Sequence, residues 1–212
     1  MKKSFCVIAS DLSPDALISE VLPGFAVGVV SECKFYSGGF NHTYRIKTED
    51  GRVYYLRAYR NQWRTFDDIQ YELDVRNHLK YKGYPAAQPV PYKDGQCYCA
   101  VPAPEGRRYL ALFTEPPGHE ISYEHEPEKA AERYGQAMAR MHNALDDFSS
   151  PHARFHLDIS HFADRPLHHI EPFLADRPDD WAFVQRFAET LRERLLNLPA
   201  SRLEQGFCHG DL

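Results

Sequence analysis

The 212-residue sequence lacks the features that mark several large classes of protein. No apolar run approaches the roughly 20 residues of a membrane-spanning helix. Acidic residues outnumber basic ones by 30 to 25, and a net charge of −5 argues against binding nucleic acid by phosphate neutralisation. The five cysteines form no C-x-x-C motif, and the eleven histidines form no H-E-x-x-H motif. We therefore expect a cytoplasmic protein with reduced cysteines, no metal site in this chain and no membrane or nucleic-acid partner.

The composition is that of a globular protein. Hydrophobic residues make up 43% and charged residues 26%, and a chain of this length can bury a sizeable core. The charge is uneven, because residues 116–212 carry 17 acidic and 10 basic side chains while residues 1–115 are nearly balanced. An acidic second half suits a cationic substrate or a metal-nucleotide site, but a solvated acidic helical surface is the more common explanation.

The first half alternates between strand and helix patterns. Ser13-Pro14 is typical of a helix start. From Cys33 to Tyr59 the period is two, interrupted by a Glu49-Asp50-Gly51 turn, which predicts two or three antiparallel strands. Thr65 and Gly83 are the expected caps of a helix, and strands are expected at 96–101 and 109–114.

Pro116-Pro117-Gly118 is the strongest candidate boundary in the chain. Beyond it the pattern is helical, with one helix opening at Pro127 and another running from about Asp179 to Leu198. We therefore predict an α+β, two-lobed fold. Its parts are an antiparallel-sheet lobe at 1–115, a hinge at 116–118 and a partial helical lobe at 119–212.

A glycine turn in the first predicted hairpin is a candidate anion site. Ser37, Gly38, Gly39 and Asn41 lie in it, and two glycines let backbone N–H groups approach an anion closely. Such turns more often only reverse the chain, so the turn alone does not establish a site.

Arg57 and Glu72 form the second candidate. Arg57 lies on a strand face with tyrosines, and Glu72 lies beside the apolar stripe of the next helix, where a carboxylate needs a cation. That cation is either Arg57, across from the sheet, or Arg76, one turn along the same helix. The sequence leaves both partners open.

The third candidate is Asp211, in His209-Gly210-Asp211 after a short apolar segment. An aspartate on a loop after a strand is a common position for a general base. The tripeptide by itself is not rare.

Together these segments resemble the small-molecule kinases of the aminoglycoside phosphotransferase, choline kinase and type II homoserine kinase group. The resemblance covers nearly the whole chain and is carried by SGGFNHTYRIKTEDGRVYYLRAYR, FDDIQYELDVRNHLKYKGYPAAQPVP, ALFTEPPG, AMARMHNAL and FCHGDL. It implies a protein-kinase-like fold and ATP-dependent phosphoryl transfer to a small-molecule hydroxyl.

The resemblance also assigns roles to individual residues. Arg57 would grip phosphate, Glu72 would orient Arg57, and Asp211 would accept the proton of the substrate hydroxyl. The remaining nucleotide-binding positions are the glycine turn (Ser37, Gly38, Gly39, Asn41) and the backbone of Phe113, Thr114, Glu115 and Pro116.

The sequence departs from the group's pattern at two places that affect the expected activity of this chain. Position 57 is arginine where the group usually has lysine, and the asparagine and aspartate that follow the HGD motif and bind metal are missing before the chain stops at Leu212. The resemblance therefore implies ATP and Mg²⁺ for a full-length parent. This chain is expected to be truncated, to lack metal ligands and to be inactive, with possible self-association through the partial lobe. The alternatives are a non-catalytic nucleotide-binding fragment, a pseudokinase or an interaction domain.

Overall fold

A computed structural model describes residues 6–118, 126–199 and 206–207. Within them an antiparallel five-stranded sheet has the order β1-β2-β3-β5-β4. The strands are β1 (Val30–Ser37), β2 (Asn41–Thr48), β3 (Val53–Tyr59), β4 (Cys99–Ala103) and β5 (Gly106–Thr114). The predicted α+β class is confirmed, and the alternating segment that begins near Cys33 forms three strands.

The first two helices begin at the capping residues expected from the sequence, Ser13 and Thr65. Helix α1 (Pro14–Ala16) has Ser13 as N-cap, and wider and tighter turns continue it to Gly24. Helix α2 (Phe66–Tyr81) starts with a capping box, because the Thr65 hydroxyl accepts from the Asp68 N–H and the Asp68 carboxylate accepts from the Thr65 N–H. Helices α3 (Pro127–Leu145), α4 (Arg165–Ile170) and α5 (Pro178–Leu196) each have proline in the first turn.

The two faces of strands β3 and β5 contact different parts of the protein. Leu56 and Leu112 belong to the core formed with the N-terminal turns, whereas Tyr59 and Phe113 pack against helix α2 on the opposite face. This follows from the period of two, since neighbouring residues of a strand point to opposite faces. The side of β3 that carries Arg57 is therefore the side that faces α2.

The segment after α3 is fastened along the outer face of α2. Lys82 Nζ donates to Asp147 Oδ2 at 2.6 Å, and the Ser150 hydroxyl donates to Asp74 Oδ2 at 2.6 Å. Phe148 packs edge-on against Tyr71. These contacts, at several heights of the helix, hold the segment after α3 against α2.

Two compact units can be distinguished among the described residues. One comprises those up to His152 together with Phe207, and the other those between Ala153 and Gly206. Helix α3 belongs to the first unit, where Leu145 packs with Val75 and Leu79 of α2. The predicted lobes, with their boundary at 116–118, stay a prediction.

Helix α5 departs from its predicted packing. The spacing of Val184, Phe187, Leu191 and Leu195 predicts a stripe that faces inward, but Phe187 is 60% exposed and Leu195 39% exposed. Periodicity predicts which residues share a face, but it does not supply a partner for that face. Along the described chain, no helix is both long and apolar enough to cross a bilayer.

Cys6, Cys33, Cys97 and Cys99 are free thiols. Burial raises the pKa of Cys33 to about 11 and that of Cys99 to about 12, so both stay protonated at neutral pH.

Candidate functional site

An open cleft of about 980 Å³ lies on the α2 side of the sheet. Strand β3 contributes Tyr55 and Arg57 to its wall, and α2 contributes Arg76. The end of β5 and the residues after it form another wall, comprising Phe113, Thr114, Glu115, Pro116, Pro117 and Gly118. The cleft thus combines aromatic surface, two guanidinium groups and exposed backbone.

Arg57 and Glu72 meet at this cleft. Arg57 Nη1 lies 2.5 Å from Glu72 Oε1, and the two side chains are 31% and 24% exposed. The contact joins the third strand to the middle of helix α2, so it depends on the packing of that helix on the sheet. The pairing expected across these elements is present.

Arg76 contacts the same carboxylate. Its Nε donates to Glu72 Oε1 at 3.2 Å, while the Tyr59 hydroxyl donates to Glu72 Oε2 at 3.1 Å. The sequence presented Arg57 and Arg76 as competing partners, whereas the structure gives Glu72 both. The sequence offered Arg76, four residues after Glu72, only as an alternative partner of that carboxylate, and it did not indicate that Arg76 also lines the cleft.

The two arginines keep Glu72 ionised. Burial opposes ionisation of this carboxyl group, but the charges of Arg57 and Arg76 outweigh it, so the pKa of Glu72 lies below its ordinary value of 4.5. Burial and the nearby Glu72 raise the pKa of Tyr59, so its hydroxyl remains a donor. Two guanidinium groups against one carboxylate leave this part of the cleft with a positive charge.

The glycine turn contributes to the cleft in part. Ser37 lies in the cleft wall. Asn41 has a local contact instead, since its Oδ1 accepts from the Arg60 N–H at 3.2 Å and fastens the start of β2 to the end of β3. At the tip of the turn, Phe40 stacks on Trp63 with ring centroids 4.6 Å apart and planes 9° apart. Gly38 and Gly39 lie between these residues, and their role as anion donors stays a prediction.

Backbone hydrogen bonds hold the end of β5 and the residue that follows it. The Thr114 N–H donates to the Gln88 carbonyl at 2.9 Å, and the Glu115 N–H donates to the Val53 carbonyl at 3.2 Å. These bonds tie the segment to β3 on one side and to the chain after α2 on the other.

Asp211, predicted as the general base, lies outside the described residues, as does His209. Among the residues that are described, no group of three or more histidine, cysteine, aspartate or glutamate side chains is arranged to hold a metal ion.

A family model described as the phosphotransferase enzyme family matches residues 32–212. The chain belongs to this family. The resemblance inferred from the HGD motif and the glycine turn is confirmed, and members of the family are small-molecule kinases.

The chain is 35% identical over 210 residues to an uncharacterised protein of Deinococcus radiodurans and 30% identical over 210 residues to one of Synechocystis. These matches cover 99% and 98% of this chain but only 59% and 57% of the relatives, so the chain spans less than two thirds of their length. A homoserine kinase of Hyphomonas neptunium is 31% identical over 135 residues, which are 63% of this chain and 39% of the relative.

Solved structures share the fold. Amicoumacin kinase in complex with AMP-PNP, Ca²⁺ and Ami superposes with a TM-score of 0.65 at 22% identity, over 85% of this chain and 53% of that one. A microcompartment-associated aminopropanol kinase gives 0.57 at 19% identity, over 69% and 46%. The predicted kinase-like architecture is thereby confirmed.

Proposed function

We propose that this chain binds ATP in the cleft and forms part of an enzyme that transfers the terminal phosphoryl group to a hydroxyl of a small molecule. One observation carries the proposal: in a member of the phosphotransferase family, two guanidinium groups share one half-buried carboxylate on the wall of a cleft with an aromatic surface. Such a cleft suits a ligand that combines a flat ring with several negative charges.

Each part of the cleft has a role in this proposal. Arg57 binds a phosphate oxygen, and Glu72 holds its guanidinium in place before the ligand arrives. Phe113, Thr114 and Glu115 lie beside the base, and Ser37 of the glycine turn lies on the phosphate side. Asp211 accepts the proton of the attacking hydroxyl, a role that rests on the family resemblance.

The cleft is proposed to hold ATP, but the described residues do not supply a magnesium site, because no group of three candidate ligands is present among them. Magnesium therefore has no step in this account, and its ligation stays a prediction. The cytoplasmic location and self-association through residues 119–212 are likewise predictions.

The acceptor is proposed to be a small amino alcohol. Relatives and structural neighbours are named for homoserine and aminopropanol, each of which carries an amine and a hydroxyl. The excess of acidic residues in 116–212 suits a cationic acceptor.

Isothermal titration of the chain with ATP, with and without Mg²⁺, tests the nucleotide site. We expect binding that Arg57→Met weakens about tenfold or more, the loss typical of a charge-assisted contact. The exposed Arg107→Met variant on β5 is the matched control. Absence of binding would refute the nucleotide site, and strong dependence on Mg²⁺ would show that the chain does hold metal ligands.

Phosphoryl transfer from ATP is measured in a separate assay against a panel of amines and alcohols. The assay compares the unsubstituted protein with its Asp211→Asn variant. Transfer that requires Asp211 supports the enzyme. Binding without transfer in any form of the protein favours a non-catalytic nucleotide-binding role.

A further inference from the structure

Tyr59, the last residue of β3, contacts both members of the Arg57–Glu72 pair. Its hydroxyl donates to Glu72 Oε2 at 3.1 Å, and the guanidinium carbon of Arg57 lies 6.0 Å from the centroid of its ring. The second contact follows from the period of two, which places Arg57 and Tyr59 on one face of the strand. Tyr59 is only 2% exposed, so any influence that it has on a ligand in the cleft must pass through this pair.

The two oxygens of the Glu72 carboxylate have different partners. Oε1 accepts from Arg57 Nη1 at 2.5 Å and from Arg76 Nε at 3.2 Å, whereas Oε2 accepts from the Tyr59 hydroxyl. Attraction between charges does not select one orientation of the carboxylate plane, because the torsion that turns this plane has only a broad preference. The hydroxyl on Oε2 therefore supplies a direction that the two cations do not.

The Tyr59 hydroxyl is itself held at a defined position. The Tyr59 carbonyl accepts from Arg108 Nε at 2.6 Å, and the side chain of Arg108 is 1% exposed. Tyr59 also belongs to the same buried cluster as Ile69 and Leu73 of α2. Burial and the nearby charge of Glu72 raise the pKa of Tyr59, so the hydroxyl stays protonated and remains a donor at neutral pH.

Removing this hydroxyl would leave Glu72 Oε2 without its donor. A carboxylate oxygen beside a buried ring is shielded from water, so the loss of its partner is unfavourable. The guanidinium of Arg57 is a fork of N–H donors that matches both oxygens of a carboxylate, and it would turn to bind the two oxygens together. Donors used in this way are no longer available to a phosphate in the cleft.

We propose, on the basis of the function proposed above, that Tyr59 is a positioning residue for phosphate binding. Its hydroxyl occupies Glu72 Oε2, so Arg57 meets the carboxylate through Nη1 and keeps the rest of its donors for a phosphate oxygen at the cleft wall. Tyr59 does not touch the nucleotide. It determines how many donors Arg57 can offer.

Tyr59→Phe tests this role, because it removes the hydroxyl and keeps the ring beside Arg57. In isothermal titration of the chain, we expect ATP affinity to fall about three- to tenfold, the range of one hydrogen bond. Adenosine affinity is expected to stay within about twofold of the parent value, since only the contact with phosphate is altered.

Tyr44→Phe is the matched control. The Tyr44 hydroxyl is also buried and accepts from the Leu12 N–H at 2.8 Å, but Tyr44 belongs to the core on the opposite face of the sheet. This variant is expected to lower the melting temperature while leaving both affinities within about twofold of the parent values, because its site is distant from the cleft.

Replacing Arg57 with lysine tests the mechanism. An ammonium group is a point charge that cannot bind both oxygens of a carboxylate as a fork does. In an Arg57→Lys background, Tyr59→Phe is therefore expected to change ATP affinity by less than about twofold. An equal loss in the arginine and lysine backgrounds would overturn the proposal, because the effect of the hydroxyl would not pass through the guanidinium.

The results separate this proposal from the one on which it rests. If the parent chain does not bind ATP, the proposed function fails, and the role of Tyr59 fails with it. If the parent binds ATP and Tyr59→Phe changes the affinities no more than Tyr44→Phe does, the nucleotide site stands and Tyr59 is only part of the core. The same conclusion follows if Tyr59→Phe weakens ATP and adenosine equally.

Discussion

The guanidinium carbon of Arg76 lies over the ring of Phe113, 4.6 Å from its centroid. The same side chain donates from Nη1 to the Ala87 carbonyl at 3.3 Å and from Nε to Glu72 at 3.2 Å. Arg76 is thus held on three sides. Arg57 donates from Nη1 to Glu72, and its guanidinium carbon lies 5.5 Å from the centroid of the Phe113 ring. Glu72 would keep a cation if Arg57 turned toward a ligand.

Replacing Arg76 with methionine is therefore expected to weaken binding of a polyphosphate. Without Arg76, the buried Glu72 depends on Arg57 for its charge, so releasing Arg57 to a phosphate becomes costly. We expect ATP affinity to fall about tenfold and adenosine affinity to fall less than about threefold, by the magnitude of one charge-assisted hydrogen bond. Titration with both ligands measures the difference, and Lys80→Met, an exposed cation one turn further along α2, is the control. If the affinities for ATP and adenosine fell equally, Arg76 would only support the fold of the cleft and would have no specific role in binding phosphate.

The coupling between Arg57 and Glu72 can be measured by a double-mutant cycle of Arg57→Met and Glu72→Gln. Each single change removes one charge from the group formed by Arg57, Glu72 and Arg76. We expect urea unfolding to give a coupling free energy of about 1–3 kcal/mol between Arg57 and Glu72. Burial opposes the charge of Glu72, yet its pKa lies below 4.5 because of the two arginines. The stabilisation from this ionised group is thus present above pH 4.5 and is lost as pH falls below that value. A coupling that does not decrease between pH 7 and pH 3.5 would contradict an ionic contact.

A second ion pair, far more buried, holds the N-terminal segment to the sheet. Arg108 and Glu105 have side chains 1% and 3% exposed, with Arg108 Nη1 2.8 Å from Glu105 Oε1. Arg108 also donates to the carbonyls of Ser10, Ala58 and Tyr59, so it joins the N-terminal segment to β3 and β5. Arg108→Met is expected to lower the free energy of unfolding by about 3–5 kcal/mol, because it leaves a buried carboxylate and several carbonyls unpaired.

Urea unfolding at pH 7 measures this loss, and Arg107→Met on the exposed side of the same strand should change stability by less than about 0.5 kcal/mol. Burial disfavours the charge of Glu105, but hydrogen bonds from Ser10 and Arg108 outweigh it and hold its pKa below 4.5. The stabilisation from Glu105 therefore fades as pH falls below that value. Equal stability of the Arg108→Met and Arg107→Met variants would show that the pair contributes nothing net.

The stack of Phe40 on Trp63 fixes the tip of the glycine turn, and it provides a spectroscopic signal. The chain has two tryptophans, so Trp181→Phe leaves Trp63 as the reporter. Phe40→Ala in that background should expose the indole, shift its emission to longer wavelength and increase quenching by acrylamide. Because the turn also carries Ser37 to the cleft, ATP affinity should fall about threefold, by the half kilocalorie or more of an aromatic pair. Unchanged emission would mean that the stack is not formed in solution.

Much of this architecture could be predicted from local pattern. The alternation from Cys33 to Tyr59 predicted the strands, and Thr65 predicted the start of α2, where it forms a capping box with Asp68. Both features depend only on residues a few positions apart. The alternation also assigned the residues of β3 to the right faces of the sheet, with Leu56 on one face and Arg57 on the other. Glu72 was recognised as a buried carboxylate that needs a cation, from its place beside the apolar stripe.

The sequence by itself determined the family, the order of the elements and the residues that carry charge at the cleft. Only the tertiary structure decided that Arg57 and Arg76 both bind Glu72, that Arg108 rather than Arg107 is buried, and that the donors of Thr114 and Glu115 are already engaged. Each of these facts depends on strand register or on the packing of a helix across the sheet. Arg57 and Glu72, for example, are 15 positions apart, and Arg108 and Ser10 are 98 positions apart. Local propensity cannot specify such contacts, because their free energy arises from desolvation and pairing that exist only once the chain has folded.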